Sequence, residues 1–470
     1  MASLQNYNGR FCESEYEYAF ITLLEKEGWQ YLQGDKINRQ TRSDVLYSDD
    51  LENFLSRTNP DLLPDEIHQI MDSVGLVGAE SDFATLHKVY GWMVSGIQFT
   101  PHNGIPRIIS LIDFETTDNN IFRCVNQFAV EYINNGLKET RRPDVLLFVN
   151  GLPLCVIELK NPADANATIY DAWEQINIRY WRDIPHLLHY CPLACISDGV
   201  KTRLGTVRTP YEHFYAWRRV NDGDAVSTLP FEETENMIKG VYTPERFLEI
   251  FRDYIYFQDS IYDSDEREIV CRYPQFFAAR LLKQSIVKSV EEKSGKGGTY
   301  FGATGCGKTY TMAFLARQLS MRCPELGSPT IIMIVDRDEL QKQSAKLFTK
   351  SKEFLNLGEV SVVPNRKVLR EELSSRKSGG FYICTIQKFC DREDDKIGLL
   401  NERANIICFS DEAHRTQLEH SKKIQFSKDA DENMKAMVSK PYAKVLKEAF
   451  PNATFVGFTG TPIAETYQTF

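Results

Sequence analysis

The two halves of the chain differ in the spacing of their hydrophobic positions. Residues 1 to about 250 mix helical and extended patterns, and the first pattern predicts a helix from Glu13 to Lys26 that Gly28 ends. From about residue 270 onward, short apolar runs alternate with helical stretches, which is typical of a parallel α/β sheet. The sequence therefore predicts an α/β chain with a boundary in the polar segment 258–266.

Two further local patterns lie in the first half. A proline followed by two acidic residues suits the first turn of a helix, which predicts a helix from Pro64 to Val74. Two apolar runs, Val145–Val149 and Leu152–Leu159, flank the dipeptide Asn150-Gly151. Runs of this length joined by Asn-Gly predict a β-hairpin.

The composition is that of an ordinary globular protein. A chain of 470 residues suggests two to four domains, and 42% hydrophobic with 26% charged residues fits packed cores. The net charge of −10 argues against a surface coated in positive charge for nucleic acid, but it does not exclude local basic tracks. We find no run of eighteen apolar residues and no signal-peptide pattern at the start, so we expect no membrane span and a cytoplasmic location.

Cysteine usage agrees with a reducing compartment. The eleven cysteines are an odd number and contain no CxxC pair, which indicates neither a zinc site nor a disulfide framework. Cys155, Cys384 and Cys408 lie in apolar stretches, where a buried, reduced thiol is expected.

Residues 302–309 match G-x-x-x-x-G-K-[ST] at every fixed position. Glycines in such a loop let backbone N–H groups close around phosphates, while the lysine reaches the β and γ phosphates and the hydroxyl holds Mg²⁺. A strand is predicted before the loop and a helix after it, so the helix N-terminus adds partial positive charge. The nucleotide-binding candidates are Gly302, Thr304, Gly305, Gly307, Lys308 and Thr309.

An acidic pair follows the apolar strand predicted at residues 406–410. Asp411 would end a neighbouring parallel strand, from which its carboxylate can reach the Mg²⁺ held by Thr309, directly or through water. Glu412 would orient or deprotonate the attacking water. A surface acidic turn is the alternative, and the phosphate loop about a hundred residues earlier favours the functional interpretation.

With these motifs the chain resembles the superfamily 2 helicases and translocases. Three further segments of that group, residues 335–340, 385–389 and 458–462, follow in order, each after a predicted strand. The resemblance implies that the first two touch the DNA backbone and that the third couples hydrolysis to strand movement. Gln275 lies where the group's adenine-recognising glutamine belongs; it is either that residue or a polar helix residue.

A second candidate site lies in the predicted hairpin. Asp144 begins one strand, and Glu158 and Lys160 close the next, which is the D-x(n)-E-x-K pattern of PD-(D/E)xK nucleases. Glu158 and Lys160 are two residues apart and share a face of a strand. The two carboxylates could hold one or two Mg²⁺ ions, and the lysine could orient water or neutralise developing charge. Charged residues at the end of such an apolar strand cost free energy when they are unpaired, which favours a functional role for them.

The hairpin raises a geometric condition for this site. A two-residue loop at Asn150-Gly151 with an unbroken ladder pairs residues whose numbers sum to 301, which places Asp144 and Glu158 on opposite faces. A shared metal therefore predicts an irregular connection: a three-residue loop with Gly151 in the left-handed region, or a β-bulge beside it.

Over nearly its whole length the chain resembles the motor subunit of type I restriction enzymes. Five short runs and the order of the two motifs carry this resemblance; the runs are Asp113-Phe114-Glu115, Asn126-Gln127-Phe128, Arg142-Pro143-Asp144-Val145, Asn150-Gly151-Leu152-Pro153 and Glu158-Leu159-Lys160-Asn161-Pro162. The resemblance implies a PD-(D/E)xK endonuclease domain over residues 1–255, followed by the first RecA-like motor lobe over residues 256–470.

The resemblance also implies further nuclease residues. One of these is an acidic metal ligand on the first helix, and the candidates are Glu13, Glu15 and Glu17. The apolar stripe that follows Glu17 favours Glu17 among the three. The family carries a glutamine and a tyrosine four residues apart after the nuclease core. Here Gln175 and Tyr180 are five apart, so Gln175 needs a local helix irregularity to take the family role.

The function implied is that of an ATP-dependent DNA translocase and endonuclease subunit that cuts unmodified duplex DNA. Its cofactors are ATP and Mg²⁺, its partners are duplex DNA and the methylation and specificity subunits, and a partner reads the target sequence. One alternative is an RNA helicase with a structural N-terminal domain, against which the nuclease motif argues. Another is a non-catalytic DNA-binding module whose acidic residues brace a sheet.

The second helicase lobe is missing between the segment 458–462 and Phe470. By resemblance that lobe supplies arginines that stabilise charge on the transferred phosphoryl group. We therefore expect the 470-residue chain, as a fragment or truncation, to bind ATP·Mg²⁺ weakly through Lys308 and Thr309 and to lack useful hydrolysis or translocation.

Overall fold

The computed structural model divides the chain into two compact units. The first comprises residues 1–257 with 266–273, and the second comprises residues 258–265 with 274–470. The structure describes residues 13–78, 80–161, 168–229, 232–258, 266–303, 305–336, 338–355, 358, 360–389, 397–411, 413, 424–428, 434–438 and 442–460.

The first unit is a mixed α/β fold. Its helices are α1 (Glu13–Lys26), α2 (Ser48–Thr58), α3 (Pro64–Gly75), α4 (Asp82–Ser95), α5 (Ile169–Glu174), α6 (Trp181–Asp183), α7 (Pro185–Leu188), α8 (Glu232–Val241) and α9 (Pro244–Asp253). Its strands are β1 (Gln30–Gln33), β2 (Ile97–Phe99), β3 (Arg107–Ile109), β4 (Phe122–Asn126), β5 (Val130–Asn134), β6 (Leu137–Arg141), β7 (Val145–Val149), β8 (Leu152–Leu159), β9 (Leu193–Ser197), β10 (Thr202–Thr206), β11 (Tyr215–Ala216), β12 (Ile255–Gln258) and β13 (Arg267–Val270).

A seven-stranded sheet organises this unit in the order β1-β4-β7-β8-β9-β10-β11. The pairs β1/β4 and β8/β9 are parallel, and the other pairs are antiparallel. Every residue of β7, β8 and β9 is buried, which explains why these strands read as continuous apolar runs. Helices α1 and α5 both pack against β8, so residues from both helices can reach its carboxyl end.

The β7–β8 hairpin contains the irregularity that the sequence required. Its turn is the two-residue loop Asn150-Gly151, with φ of 51° and 80°, so the three-residue alternative is wrong. In the pairs nearest the turn, the two residue numbers sum to 301. From the pair Leu147↔Cys155 onward they sum to 302, because Leu154 forms a β-bulge and has no partner in the ladder. This β-bulge shifts the end of β8 by one residue, and the shifted register places Asp144 opposite Glu158.

The second unit contains a parallel sheet flanked by helices. Its helices are α10 (Tyr273–Glu292), α11 (Lys308–Met321), α12 (Asp338–Lys350), α13 (Lys352–Leu355), α14 (Arg366–Ser374) and α15 (Tyr442–Ala449). Its strands are β14 (Lys296–Phe301), β15 (Thr330–Val335), β16 (Val360–Val362), β17 (Phe381–Thr385), β18 (Ile406–Asp411), β19 (Ile424–Lys428), β20 (Met434–Val438) and β21 (Thr454–Thr459). The strand β14 leads into the phosphate loop, and α11 follows that loop.

The strand order of this sheet corrects one expectation. The order is β14-β21-β18-β15-β17-β16, with all pairs parallel, so β21 lies between the loop strand β14 and the acidic strand β18. The strand that ends at Asp411 is therefore not a direct neighbour of β14. It lies two strand spacings away, at about 10 Å. The sequence pattern identifies parallel strands but carries no information on their order across the sheet.

In the described part of the chain, we find no helix that is both long and apolar enough to cross a bilayer.

Candidate active site

Asp144, Glu158 and Lys160 meet at one end of the β7–β8 hairpin. The Asp144 Oδ2 atom accepts a hydrogen bond of 2.7 Å from the backbone N–H of Leu159. Glu158 is fully buried, and the side chain of Lys160 is 13% exposed. Their proximity follows from the β-bulge, because an unbroken ladder would have put the two carboxyls on opposite faces.

A closed ring of polar contacts surrounds Glu158. The Lys160 Nζ atom donates to Gln175 Oε1 at 2.9 Å, and Gln175 Nε2 donates to the Tyr180 hydroxyl oxygen at 2.8 Å. The Tyr180 hydroxyl donates to Glu158 Oε1 at 2.5 Å. The ring closes where Glu158 Oε2 lies 3.8 Å from Lys160 Nζ. Each side chain thus fixes the orientation of the next.

A π-helical turn brings Gln175 into this ring. Residues Gln175–Tyr180 form a π-helix between α5 and α6, which is the irregularity that their five-residue spacing required. A π-turn contains one residue more than an α-turn, so positions five apart lie on the same side. The amide of Gln175 and the hydroxyl of Tyr180 therefore meet, although their spacing differs from the family's.

Burial dominates the electrostatics of the cluster. Burial raises the pKa of Glu158 well above its usual range, the negative charge of Asp144 raises it further, and Lys160 offsets part of the effect. Burial also raises the pKa of Asp144, although the hydrogen bond from the Leu159 N–H and the positive charge of Lys160 both lower it in part. Burial and the Glu158 charge hold the pKa of Tyr180 well above its usual range, so Tyr180 stays a neutral donor.

The three acidic candidates of α1 differ in their surroundings. Glu17 is 7% exposed and faces the end of β4, where Asn126 Nδ2 donates to its Oε1 at 2.6 Å and Gln127 Nε2 donates to its Oε2 at 3.1 Å. Glu15 is exposed. The side chain of Glu13 lies outside the described residues. Glu17 is therefore the buried candidate, held at the end of β4, the strand next to β7.

Sequence reasoning gave no role to Asn126 and Gln127. Both belonged to a run that resembles the type I family, but amides carry no spacing rule of their own. The pairing of β4 with β7 could have indicated them, since Asn126 lies opposite Val145, the residue after Asp144. That pairing joins segments far apart in the sequence, which local patterns do not specify.

The residues of the cluster fit a divalent cation. Mg²⁺ is commonly held by one or two carboxylates, with waters and substrate phosphates completing its shell. The buried Glu158 Oε2 has no hydrogen-bond partner among the described residues, and the Asp144 carboxyl interacts with Glu158. A cation between two such carboxyls removes both the repulsion and the cost of burial. Within the described residues we find no group of three or more His, Cys, Asp or Glu side chains that forms a preassembled metal cage.

The phosphate loop lies in the second unit, between β14 and α11. Gly305 and Gly307 have φ of 82° and 86°, a left-handed conformation that glycine adopts without strain. The Lys308 Nζ atom donates to the carbonyl oxygen of Gly302 at 3.2 Å, across the loop. Lys308 begins α11, so the free N–H groups of the first helical turn face the loop. Thr304 lies outside the described residues.

Gln275 contacts the phosphate loop itself. Its side chain is 4% exposed, and its Nε2 donates to the carbonyl oxygen of Gly307 at 3.2 Å. A Cβ atom at Gly307 would lie 2.5 Å from that nitrogen, so a larger residue would displace the Gln275 amide, and the φ of 86° would strain it as well. Gln275 is thus placed where it supports the loop, and its contact with adenine remains a prediction.

The other nucleotide-site candidates are only partly described. Thr309 lies at the start of α11 and is half-buried. Asp411 lies at the end of β18 and is also half-buried. Glu412 lies outside the described residues, as do Arg337, Thr461 and Pro462 of the helicase-like segments.

Two family models match the chain, one in each half. The model for the type I restriction enzyme R protein N terminus matches residues 11–213. The model for the SWI2/SNF2 ATPase matches residues 274–470. Each model covers one of the two candidate sites.

Curated relatives match nearly the whole chain. A type I restriction enzyme HindI endonuclease subunit from Haemophilus influenzae is 32% identical over 96% of this chain and 43% of its own length. A putative type I restriction enzyme MjaIXP endonuclease subunit from Methanocaldococcus jannaschii is 27% identical over 95% of this chain and 42% of its own length. The chain thus spans less than half the length of these relatives.

A solved structure of S. cerevisiae Dbp5 bound to Nup159 and Gle1 aligns with 37% of this chain and 40% of that chain, at 15% identity and a TM-score of 0.24. The two family models follow one another in the same order as the two candidate sites along the sequence. Over 96% of its own length the chain is thus similar to a type I restriction enzyme endonuclease subunit, with a type I R protein N-terminal match in its first half and a SWI2/SNF2 ATPase match in its second.

Proposed function

We propose that this chain is the DNA-cutting and ATP-binding part of a type I restriction enzyme endonuclease subunit. Residues 1–255 form a PD-(D/E)xK nuclease domain in this proposal, and residues 256–470 form the first RecA-like lobe of an ATP-dependent DNA translocase. The observation that carries the nuclease assignment is the closed ring around Glu158, which includes a lysine, beside a second carboxyl. A ring that only braced a sheet would not need an acidic pair that repel each other.

The nuclease residues have separate tasks in this proposal. Asp144 and Glu158 hold Mg²⁺, with Glu17 on the other side of Asp144. When bound, the ion activates water and stabilises charge on the phosphate undergoing attack. Lys160 orients the water or neutralises that charge, and Gln175 holds the lysine ammonium at 2.9 Å. Tyr180 holds Glu158 through its 2.5 Å hydrogen bond.

The second unit binds ATP in this proposal. Backbone N–H groups of the loop surround the phosphates, Lys308 reaches the β and γ phosphates, and Gln275 contacts adenine. Thr309 and Asp411 hold the nucleotide's Mg²⁺, and Glu412 orients the attacking water. The loop residues with these backbone roles are Gly302, Thr304, Gly305 and Gly307.

The proposed partners are duplex DNA and the methylation and specificity subunits of a restriction complex. The test is a DNA cleavage assay on an assembly that contains this chain, a second motor lobe and those subunits, on methylated and unmethylated duplexes, with and without ATP. We expect cleavage of unmethylated DNA only, and only with ATP. Glu158→Ala should stop cleavage and keep DNA-stimulated ATP hydrolysis, whereas Lys308→Ala should stop both.

Two results would contradict the proposal. One is hydrolysis stimulated by RNA instead of duplex DNA, which would favour an RNA helicase with a structural first unit. The other is cleavage that Glu158→Ala leaves intact. Glu15→Ala is the matched control, because Glu15 is an exposed glutamate of the same unit, and it should cleave at the wild-type rate.

A further inference from the structure

Gln127 has a backbone conformation that few residues with a side chain adopt. Its φ is 51°, in the left-handed region. Of the other described non-glycine residues with positive φ, Asn135 and Asn150 each begin an Asn-Gly turn, and Lys293 follows the end of α10. Gln127 belongs to neither kind of position, since it is followed by Phe128 and not by glycine, and it does not follow a helix. Such a conformation persists only where the surrounding structure determines it.

Neighbouring backbone determines the bend at Gln127. A Cβ atom at Gly34 would lie 2.6 Å from the carbonyl oxygen of Asn126 and 2.7 Å from the Cα of Phe128, so the bend packs directly on that glycine. Phe128 is fully buried and anchors the residue after the bend. The Gln127 N–H donates to the carbonyl oxygen of Asp144 at 3.3 Å. The bend is therefore tied to the backbone of Asp144, the residue that carries the first carboxylate of the proposed nuclease site.

The bend directs two amides at Glu17. Asn126 Nδ2 and Gln127 Nε2 donate to the two oxygens of that carboxyl, at 2.6 Å and 3.1 Å. The Tyr31 hydroxyl donates to Asn126 Oδ1 at 3.0 Å, which fixes the orientation of the Asn126 amide. A carboxylate oxygen that accepts one hydrogen bond keeps lone-pair sites for a second partner. Both oxygens of Glu17 can thus be held and still contact a cation or its water.

The strand order places the ends of the strands that hold or carry the three carboxyls next to one another, although these three described side chains do not form a preassembled metal cage. Strand β7 lies between β4 and β8. Glu17 is held at the end of β4, Asp144 precedes β7, and Glu158 lies near the end of β8. Asp144 is therefore the central carboxyl, with Glu17 on its β4 side and Glu158 on its β8 side.

We infer that Gln127 is a positioning residue, which together with Asn126 holds Glu17 beside Asp144 so that Glu17 takes part in binding a divalent cation, directly or through water. This inference rests on the proposed nuclease function. Gln127 touches neither the substrate nor the cation, and it acts through Glu17. The left-handed backbone of Gln127 lets its side chain reach Glu17 while its N–H donates to the Asp144 carbonyl oxygen.

Calorimetric titration of Mn²⁺ into the 470-residue chain, without DNA or nucleotide, tests the inference. Gln127→Gly keeps the left-handed backbone and the N–H but removes the amide, so Mn²⁺ affinity should fall about 10- to 100-fold, as for other residues that orient metal ligands. Gln127→Ala should show the same fall in Mn²⁺ affinity. It should also melt at a lower temperature, because alanine is strained at this φ. Asn135→Gly, at the other left-handed site of φ 50°, is the matched control and should bind as the wild type does.

A double-mutant cycle separates positioning from a structural role. Glu17→Gln alone should weaken Mn²⁺ binding, and adding Gln127→Gly to it should weaken binding no further, since Gln127 acts through Glu17. Wild-type affinity in Gln127→Gly, or a full further loss in the double variant, would overturn the inference. Glu158→Ala distinguishes the two proposals: if it titrates as the wild type does, the nuclease site itself is refuted and this inference with it.

Discussion

The two oxygens of the Glu158 carboxyl have different surroundings. Oε1 accepts the Tyr180 hydroxyl at 2.5 Å, whereas the buried Oε2 has no hydrogen-bond partner among the described residues. Burial and the Asp144 charge both raise the pKa of Glu158 well above its usual range. Without a bound cation, this pair of carboxyls would destabilise the first unit, and such features are tolerated where a ligand relieves them.

A second buried carboxyl, Glu268 of β13, gives a test of pH dependence away from the proposed sites. Burial raises the pKa of Glu268 well above its usual range, and Arg208 offsets only part of the effect. Because the folded pKa is raised, the contribution to stability is complete below the unfolded pKa and is lost as pH rises through the folded value. Glu268→Gln mimics the protonated form, so it should raise the free energy of unfolding at pH 8 by about 1–3 kcal/mol.

Denaturant unfolding of the first unit between pH 4 and 8 measures this effect. The advantage of Glu268→Gln should shrink as pH falls towards about 4, the ordinary range of a carboxyl. The exposed Glu212→Gln serves as the control and should change stability by less than about 0.5 kcal/mol. A gain that is the same at both ends of the range would show that protonation of Glu268 is not involved.

At the scale of elements, two Asn-Gly turns form a matched pair. Gly136 joins β5 to β6, Gly151 joins β7 to β8, and both have φ of 80°. A Cβ atom at Gly151 would lie 2.1 Å from the carbonyl oxygen of Tyr47, whereas a Cβ at Gly136 would meet nothing within 4 Å. The turn of the site hairpin is thus packed against the segment before α2, and the other turn is open.

Alanine at these two positions should have unequal effects. Gly136→Ala should cost about 1–2 kcal/mol, the strain of a left-handed residue. Gly151→Ala should cost a further ~1–3 kcal/mol, because the Tyr47 backbone must also move. Chemical denaturation of both variants measures the difference. Equal losses would show that the hairpin turn is free to shift and does not set the register of β8.

The π-turn gives a second prediction at this scale. Deleting Ile178, which is 48% exposed within the turn, should convert it to an α-turn and leave Gln175 and the tyrosine four apart, on the same face. Mn²⁺ affinity should then stay within about threefold of the wild type, well inside the 10- to 100-fold loss expected when an orienting residue is removed.

Inserting one alanine after Ile178 is the matched control. It separates the two side chains by six residues, which neither an α-turn nor a π-turn places on one face. Binding should therefore be lost. If the deletion and the insertion impair Mn²⁺ binding equally, the pairing of Gln175 with Tyr180 does not determine the site.

Local signals in the sequence predicted the elements of the site closely. The ends of α1, β7 and β8 agree with the structure at every residue, because glycines and the change from apolar to polar residues mark them. The need for a bulge followed from arithmetic on the residue numbers, but its position at Leu154 did not, since a bulge depends on packing across the strands. The place of β21 between β14 and β18 depends on contacts distant in sequence and left no local signal.

At the scale of the whole molecule, the two proposed sites lie in separate compact units. The carboxylate cluster is in residues 1–257 with 266–273, and the phosphate loop is in residues 258–265 with 274–470. The chain has a net charge of −10, so under the proposed function any contact with DNA phosphates would depend on local basic groups and not on overall charge. Binding at one site should therefore survive the loss of the other.

A crossed titration of the 470-residue chain tests this central claim most directly. Mn²⁺ binding without nucleotide and binding of a fluorescent ATP analogue are measured for the wild type, Glu158→Ala and Lys308→Ala. Glu158→Ala should lose Mn²⁺ binding and keep the analogue, and Lys308→Ala should lose the analogue and keep Mn²⁺, with unchanged folding by circular dichroism. Loss of both ligands from either folded variant would contradict the account of two separate sites.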